Sequence, residues 1–330
     1  MRRIMMRLGI LGTGKIVQDF LPMVKSIPAI ELVGLLSTPR SVARARELQA
    51  TYRIGTVYTD YAALLADTTI DTVYVALPNS LHYGYAKRAL QAGKNVICEK
   101  PFTLVASQLT ELIELAGRQD LVLIEAITNQ YLENYQAIKR DLTKLGDLKI
   151  IECNYSQYSS RYDQFKAGTI LPAFNPKLGG GALMDLNIYN IHFVVGLLGA
   201  PTHVQYLANV ERNIDTSGIL VLTYPNVKVV CIGAKDSTSP VRSTIQGTTG
   251  SIIVNGPTNT VESITEIAHD VTTTDLALNQ AEHRMYAEFV AFERLIANHD
   301  MVTVKRQLDH SQAVMEVVDQ ALASAGLQLG

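Results

Sequence analysis

The sequence predicts an α/β protein with two domains: a doubly wound parallel sheet, then an α+β domain on a large, mostly antiparallel open sheet. Up to Ile124, short apolar segments alternate with helical patterns, as in right-handed strand–helix–strand units. After Glu125-Ala126, longer segments of alternating polarity follow, separated by turn signals such as Tyr224-Pro225-Asn226. We therefore expect a first domain over residues 1–124 and a second over residues 125–330.

The periodicity of apolar residues predicts the elements of each domain. In the first we expect strands at 8–11, 30–36, 70–77, 96–98 and 121–124, and helices at 15–26, 81–92 and 104–117, with another helix ending near 49. In the second we expect strands at 149–157, 203–209, 218–224, 228–234, 242–247 and 251–255. The helices predicted there cover 129–145, 281–298 and 309–326.

Length and composition indicate an ordinary folded protein with a core in each domain. The chain has 330 residues, of which 47% are hydrophobic and 18% charged. Its 29 basic and 31 acidic residues give a formal net charge of −2, and basic residues form no block beyond Arg2-Arg3. We therefore expect neither nucleic acid nor a membrane as a partner, but a small-molecule substrate.

The cysteines and the N-terminus indicate the compartment. Cys98, Cys153 and Cys231 lie far apart in the sequence, which argues against a disulfide framework and against a close-spaced metal motif. Glycines from Gly9 onward interrupt the apolar segment at the N-terminus before it reaches the length of a signal-peptide core. We expect a cytoplasmic protein without a metal site.

A glycine-rich turn follows the first predicted strand. Glycines at Gly12 and Gly14 would let the backbone approach a pyrophosphate, whose charge the N–H groups at the start of the next helix would hold. Val17 takes the third glycine position of the dinucleotide-binding pattern, so the turn alone fits an ordinary strand-to-helix connection equally well. Its place on the first strand of a parallel sheet favours the dinucleotide. The expected contacts are Gly9, Gly12, Thr13, Gly14, Lys15 and Ile16.

The end of the second strand indicates which dinucleotide binds. An Asp or Glu there suits the ribose hydroxyls of NAD, whereas a small residue with an arginine nearby suits the 2′-phosphate of NADP. This chain has Ser37 at that position and Arg40 close by. We therefore expect NADP, with NAD as the alternative; Arg40 could also be a solvated residue at the start of the next helix.

Two further strands end in polar residues at the edge where open α/β sheets bind ligands. The run Val96-Ile97-Cys98 stops at Glu99-Lys100, and the proline that follows disfavours helix at Lys100. The strand before it breaks at Pro78 and is followed by Asn79 and His82. We expect these positions to bind the dinucleotide: Leu77, Pro78, Asn79, His82, Glu99 and Lys100.

A second polar stretch lies within the α+β domain. Three glycines, Gly179-Gly180-Gly181, precede a helix on which Asp185, Tyr189 and His192 stand at i, i+4 and i+7, on one face. A carboxylate one turn from a phenol, beside such a glycine run, suits proton transfer. For His192, a buried and hydrogen-bonded histidine is an equally good interpretation.

Together these motifs resemble the glucose-fructose oxidoreductase/inositol dehydrogenase (Gfo/Idh/MocA) family over almost the whole chain. The pieces Glu99-Lys100-Pro101 and Gly179–Asp185, in this order, are specific to it. The resemblance implies that Lys100 lies by the nicotinamide and the substrate hydroxyl. The tyrosine four residues after Asp185, Tyr189, is similar to the branch that contains glucose-fructose oxidoreductase, NADP-dependent xylose dehydrogenases and dihydrodiol dehydrogenases. This similarity argues against an inositol substrate. Two departures, Asn187 for the usual Gly and the residues 127–130, are expected to shape the substrate pocket.

The expected activity is hydride transfer between NADP(H) and a carbinol or carbonyl carbon of a sugar-like, polyol or vicinal-diol substrate. Lys100 and Tyr189 would transfer the proton and Asp185 would orient the substrate, with His192 as a further substrate contact. Lys100 or His192 acting alone, reduction of an imine, and an oxidation that starts an elimination stay open.

Two further expectations come from the resemblance. A dinucleotide-binding sensor or co-regulator of the same fold is the non-enzymatic alternative, although such a protein would be expected to lose Lys100 or the Asp185–Tyr189 pair. The family pairs through the exposed face of the second sheet, so a homodimer or homotetramer is expected.

Overall fold

The computed structural model of the protein describes residues 5–330, so the start of the chain with Arg2-Arg3 lies outside the described residues. These residues form two compact units. The first contains the described residues up to Thr103, then 107–126 and 285–309. The second contains 104–106, 127–284 and 310–330. The expected division at residue 124 thus takes no account of a late segment that belongs to the first unit.

The strands and helices have the following bounds. The strands are β1 Met6–Leu11, β2 Ile30–Leu36, β3 Thr56–Tyr58, β4 Thr72–Val75, β5 Asn95–Glu99, β6 Leu123–Ala126, β7 Leu148–Ser156, β8 His203–Glu211, β9 Ile214–Thr223, β10 Lys228–Ala234, β11 Arg242–Gly247, β12 Gly250–Asn255, β13 Ser263–Ala268 and β14 Thr273–Leu276. The α-helices are α1 Lys15–Val24, α2 Val42–Tyr52, α3 Tyr61–Ala66, α4 His82–Gln91, α5 Ala106–Arg118, α6 Glu133–Asp141, α7 Tyr162–Lys166, α8 Ile188–Leu198, α9 Tyr286–Asn298 and α10 Met301–Ser324.

The first unit confirms the predicted doubly wound sheet. Its six strands are all parallel and lie in the order β3-β2-β1-β4-β5-β6. The order reverses between β1 and β4, so ligands are expected beyond the carboxyl ends of these two strands. β3 and α3, both of which are short, were not predicted from the sequence.

The late segment joins the first unit through aromatic packing on α9. The ring of Phe289 lies 4.5 Å from that of Phe20 and 5.2 Å from that of Tyr74, measured between centroids. Phe20 lies on α1 and Tyr74 on β4, and all three side chains are fully buried. Burial of three aromatic side chains in one cluster is a large apolar contribution, which explains why α9 packs on the parallel sheet.

The second unit confirms the predicted large, mostly antiparallel sheet. Its eight strands lie in the order β14-β13-β12-β11-β7-β10-β9-β8, and among them β7 and β10 pair in parallel. The other neighbours are antiparallel. β13 and β14 were not predicted from the sequence, and α10 begins at Met301 instead of residue 309.

Within the described residues, the segment Pro176–Leu198 is long and apolar enough to cross a membrane by length and composition alone. Most of its apolar part is buried inside the protein. That burial is typical of a core helix.

Candidate functional site

The glycine-rich turn of the first unit has the backbone that the sequence predicts. Gly12 has a φ of +104°, and a Cβ added there would lie 2.8 Å from the carbonyl oxygen of Ala76. Gly14 caps the N-terminus of α1, and a Cβ added there would meet nothing within 4 Å. The helix start therefore faces open space, and its N–H groups suit a pyrophosphate. These residues fit a bound dinucleotide.

Gly9 is the first of the expected contacts with that dinucleotide. It lies inside β1, and a Cβ added there would lie 3.1 Å from Cγ2 of Ile70. Close packing within the sheet explains a glycine at this position, and its contact with the dinucleotide stays a prediction. Thr13, Lys15 and Ile16 lie in the turn and in the first turn of α1, as predicted.

The end of β2 carries a hydroxyl and a guanidinium. Ser37 is 6% exposed; its N–H donates to the carbonyl of Tyr58 at 2.9 Å and its Oγ to that of Thr38 at 3.2 Å. Arg40 is exposed in the turn that follows. Gly12 N–H donates to the carbonyl of Leu36 at 2.9 Å, which holds this strand end beside the glycine turn. The arrangement suits a 2′-phosphate.

Lys100 follows the last residue of β5 directly and is partly exposed. Glu99 is 9% exposed, and its Oε1 accepts a hydrogen bond from the hydroxyl of Tyr74 at 2.5 Å. Because Tyr74 lies on β4, this bond joins two neighbouring strands near the edge where the ligand is expected. Glu99 thus has a structural contact that the sequence did not indicate.

His82 joins the same two strand ends. It is fully buried, with Nδ1 2.8 Å from the carbonyl oxygen of Pro101 and Nε2 2.8 Å from that of Leu77. Burial lowers the pKa of His82. Both ring nitrogens thus lie at hydrogen-bond distance from backbone carbonyls, to one of which a neutral ring can donate, and the contact of His82 with the dinucleotide stays a prediction. Pro78 and Asn79 lie in the short 3₁₀ turn that connects β4 to α4.

In the second unit, the helix after the triple glycine begins with a π-helical turn over Leu183–Asn187 and continues as α8. The N–H of Leu183 donates to Oδ2 of Asp215 at 2.6 Å. Gly181 has a φ of +105°, and a Cβ added there would lie 2.0 Å from Oδ1 of Asp215. A side chain at 181 would therefore displace the carboxylate that binds the start of the helix.

Asp185 lies in the π-helical turn with 39% of its side chain exposed. Its Oδ2 accepts a hydrogen bond from Nζ of Lys235 at 2.7 Å, and the side chain of Lys235 is only 2% exposed. Lys235 is not among the site residues predicted from the sequence. A lysine directly after the apolar strand β10 was the available signal.

Tyr189 is 8% exposed, and its ring centroid lies 6.2 Å from that of Tyr155. Nδ2 of Asn129 donates to the backbone carbonyl of Tyr189 at 3.0 Å, and Nε2 of Gln130 donates to that of His192 at 3.0 Å. Asn129 is fully buried. The segment expected to shape the substrate pocket thus supports the backbone of α8.

His192, which is expected to contact the substrate, lies in the core of the second unit. It is fully buried, and its Nδ1 lies 3.0 Å from Nε2 of His310. Burial, with a smaller contribution from His192, lowers the pKa of His310 well below its usual range. Because α8 places this side chain in the core, the interpretation of His192 as a buried and hydrogen-bonded histidine fits the structure.

Asn187, where the family usually has glycine, also lies in the core. Its Nδ2 donates to the carbonyl of Cys231 on β10 at 3.1 Å. The facing residue on β10 is Gly233, where an added Cβ would lie 2.9 Å from Cβ of Asn187. The structure thus accommodates Asn187 by a glycine on the strand it contacts.

Comparison with known proteins gives matches along the whole chain. A model described as an oxidoreductase family with an NAD-binding Rossmann fold matches residues 6–127, and one for the GFO/IDH/MocA C-terminal domain matches residues 136–253. The chain is 32% identical over 326 residues to a scyllo-inositol 2-dehydrogenase (NADP(+)) of Bacillus subtilis, covering 98% of each. It is 28% identical over 362 residues to a D-xylose 1-dehydrogenase (NADP(+)) of Hypocrea jecorina, covering 97% of this chain and 92% of that one.

A solved structure shares the fold. The 3-ketoreductase KijD10 of Actinomadura kijaniata, in complex with NADP and TDP-benzene, superimposes with a TM-score of 0.81 at 22% identity. The match covers 96% of this chain and 98% of that one. The family models and the relatives named as dehydrogenases show that the chain is an NAD(P)-dependent oxidoreductase. The chain belongs to the Gfo/Idh/MocA oxidoreductase family.

Proposed function

We propose that the protein transfers a hydride reversibly between NADP(H) and a CH–OH carbon of a sugar-like, polyol or vicinal-diol substrate. The helix after the triple glycine carries the proposal, because its π-helical first turn holds a partly exposed carboxylate, Asp185, one turn before the phenol of Tyr189 on α8. The relatives named as NADP(+)-dependent dehydrogenases of scyllo-inositol and D-xylose support the same reaction class.

The first unit would hold the cofactor, whose nicotinamide supplies or accepts the hydride. The N–H groups at the start of α1, beside Gly12 and Gly14, would bind the pyrophosphate. Ser37 and Arg40 would bind the 2′-phosphate of NADP. This assignment rests on the absence of a carboxylate from the segment Ser37–Ser41 and on the exposure of Arg40.

Oxidation of an alcohol needs a group that takes the hydroxyl proton as the hydride leaves, and carbonyl reduction needs that group as an acid. We assign this proton to Tyr189. A free phenol has a pKa of about 10, and an ammonium group near it stabilises the phenolate. Lys100 would provide that ammonium group and bind the substrate oxygen, and Asp185 would orient the substrate hydroxyl.

The substrate panel should include inositols. Tyr189, in place of the histidine of inositol dehydrogenase-like enzymes, argues for sugars or diols. The relative named scyllo-inositol 2-dehydrogenase nevertheless covers nearly the whole chain. A panel of scyllo-inositol, D-xylose and simple vicinal diols therefore tests the two indications against each other.

Fluorescence titration with NADPH and NADH in parallel tests the cofactor. We expect tighter binding of NADPH, and about tenfold weaker NADPH binding in Arg40→Ala, because a charge-assisted contact is lost. Arg46→Ala is the matched control, because it removes an exposed arginine from α2, the helix after that turn, and it should bind NADPH like the wild type. A preference for NADH would mean that the end of β2 binds ribose hydroxyls instead.

Turnover by Tyr189→Phe tests the proton transfer. We expect kcat to fall at least about 100-fold, since a positioned acid–base group contributes that much or more. Tyr158→Phe removes an exposed phenol bonded to Asp163 in the same unit and should keep wild-type turnover. Turnover of Tyr189→Phe near the wild-type value would move the proton to Lys100. Tight NADPH binding without turnover on the whole panel would favour the alternative of a non-catalytic dinucleotide-binding sensor or co-regulator.

We also propose that copies of the chain pair through the second sheet, in the cytoplasm. Leu207 on β8 and Ile219 on β9 are directly opposite each other, 54% and 41% exposed, and Ile232 on β10 is opposite Ile219. Such a row of apolar side chains favours a covered face. Three buried free cysteines suit a reducing compartment. Sedimentation of a monomer at micromolar concentration would count against pairing.

A further inference from the structure

Lys235 has a backbone position fixed on both sides. It directly follows β10, which lies between β7 and β9 in the second sheet. Its N–H donates to the carbonyl of Thr216 at 2.8 Å, and its own carbonyl accepts from the N–H of Ser159 at 2.8 Å. The side chain therefore starts from a rigid point of the unit.

The ammonium group of Lys235 is enclosed. Its Nζ donates to the carbonyl of Ala173 at 2.6 Å and to Oδ2 of Asp185 at 2.7 Å, and it lies 4.4 Å from the centroid of the Phe174 ring. The side chain is 2% exposed, whereas that of Asp185 is 39% exposed. The ion pair is thus asymmetric, with a buried cation and a partly solvated carboxylate.

This asymmetry decides what the pair does. A buried ammonium group needs its partners, because an unpaired charge in the interior is very unfavourable. A partly exposed carboxylate, in contrast, could be solvated in several orientations. The contact with Lys235 therefore restricts Asp185 to the orientation in which Oδ2 faces the ammonium group.

We propose that Lys235 is a positioning residue that fixes the orientation in which Asp185 meets the substrate hydroxyl. This inference rests on the proposed function, in which Asp185 orients that hydroxyl. Lys235 itself is too enclosed to touch the substrate, so it acts through Asp185. Small errors in the position of an orienting group lower the rate of the chemical step strongly.

A double-mutant cycle on kcat and KM tests the proposal with the full-length protein. Lys235→Met keeps the length of the side chain and should lower kcat about 10- to 100-fold with little change in KM. Asp185→Asn should lower kcat at least as much, and the double variant should lose no more than Asp185→Asn alone. Lys228→Met, which removes an exposed lysine from the same strand, is the control and should keep wild-type kcat.

Three outcomes would overturn the proposal. Multiplied losses in the double variant would show that Lys235 acts independently of Asp185. Lys235→Arg keeps a cation at this position, so a loss of kcat as large as that of Lys235→Met would show that the charge is not what positions Asp185. Lys235→Arg also serves as the test variant if Lys235→Met does not fold. Wild-type protein without turnover on the whole substrate panel would overturn the proposed function together with this inference.

A thermal-unfolding measurement tests the Lys235–Asp185 ion pair independently of substrate turnover. Asp185→Asn leaves the buried ammonium group without its carboxylate and should lower the midpoint temperature. Lys235→Met in that background should recover part of the loss. No recovery would mean that the pair does not form in solution, whatever the turnover of the wild type.

Discussion

The two units position their candidate functional residues by different means. In the first unit, backbone groups at strand ends do most of this: Gly12 donates to the Leu36 carbonyl, and His82 lies between the carbonyls of Leu77 and Pro101. The hydrogen bond from Tyr74 to Glu99 is the side-chain contact described there. In the second unit, side chains that are distant in sequence do so, as in the Lys235–Asp185 ion pair. A site built on strand ends can be predicted from local sequence, whereas one built on distant side-chain pairs cannot.

The largest expected effect concerns the contact between Gly181 and Asp215. Gly181→Ala should destabilise the protein by about 4 kcal/mol or more, because its Cβ would lie 2.0 Å from Oδ1 of the carboxylate that binds the helix start. Unfolding in urea measures the loss. Gly168 has a similar φ of +98° with nothing within 4 Å of an added Cβ, so Gly168→Ala should cost only about 1 kcal/mol.

Equal losses in Gly181→Ala and Gly168→Ala would break the comparison between the units. They would show that the left-handed backbone alone sets the cost at Gly181. The second unit would then depend on local backbone geometry, as the first unit does, and not on the distant carboxylate of Asp215.

Local sequence was sufficient wherever a strand end decides the position of a residue. The proline after Lys100 and the end of an apolar run gave β5 as 96–98, against Asn95–Glu99 in the structure. β3 was missed because it has only three residues, and none of them is fully buried. An alternating or apolar pattern needs more residues than that to be recognised.

Long-range packing could not be predicted in the same way. The pattern of α9 indicates an amphipathic helix, but only the contacts of Phe289 with Phe20 and Tyr74 show that it covers the first sheet. Lys235 lies 50 residues after Asp185, and nothing in either segment alone indicates that they meet. Such pairs depend on how strands and helices pack, which local periodicity does not contain.

A smaller effect concerns the pH dependence of the second unit. Burial raises the pKa of Asp215 to about 6 from an ordinary 3.8, although the N–H of Leu183 and the hydroxyl of Tyr206 oppose the shift. The folded protein thus binds this proton more tightly than the unfolded chain does. The stability from Asp215 is full below pH 3.8 and is lost as the pH rises through 6, by about 3 kcal/mol.

Asp215→Asn keeps an oxygen for Leu183 N–H and removes the titration, so stability should no longer decline over this range. Urea unfolding at several pH values between 4 and 7 measures the slope of the free energy of unfolding against pH.

His310 contributes to this slope with the opposite sign. Burial lowers its pKa below 6.5, so the stability that His310 contributes is lost as the pH falls. His310→Gln should therefore change the slope in the opposite direction to Asp215→Asn. Parallel slopes in the two variants would contradict the assignment of these groups.

The smallest expected effect concerns His82, which represents the backbone-based positioning of the first unit. His82→Leu should cost about 2 kcal/mol at pH 7.5, because a buried carbonyl loses its donor. His203→Leu replaces an exposed histidine on β8 and should change stability by no more than about 0.5 kcal/mol. Burial lowers the pKa of His82, so stability from its neutral ring is present above pH 6.5 and is lost as the pH falls. The difference in stability between His82→Leu and the wild type should therefore shrink at pH 5.5. Weaker NADPH binding by His82→Leu at pH 7.5 would link the two strand ends to the cofactor site. Unchanged NADPH binding would mean that His82 contributes to stability alone.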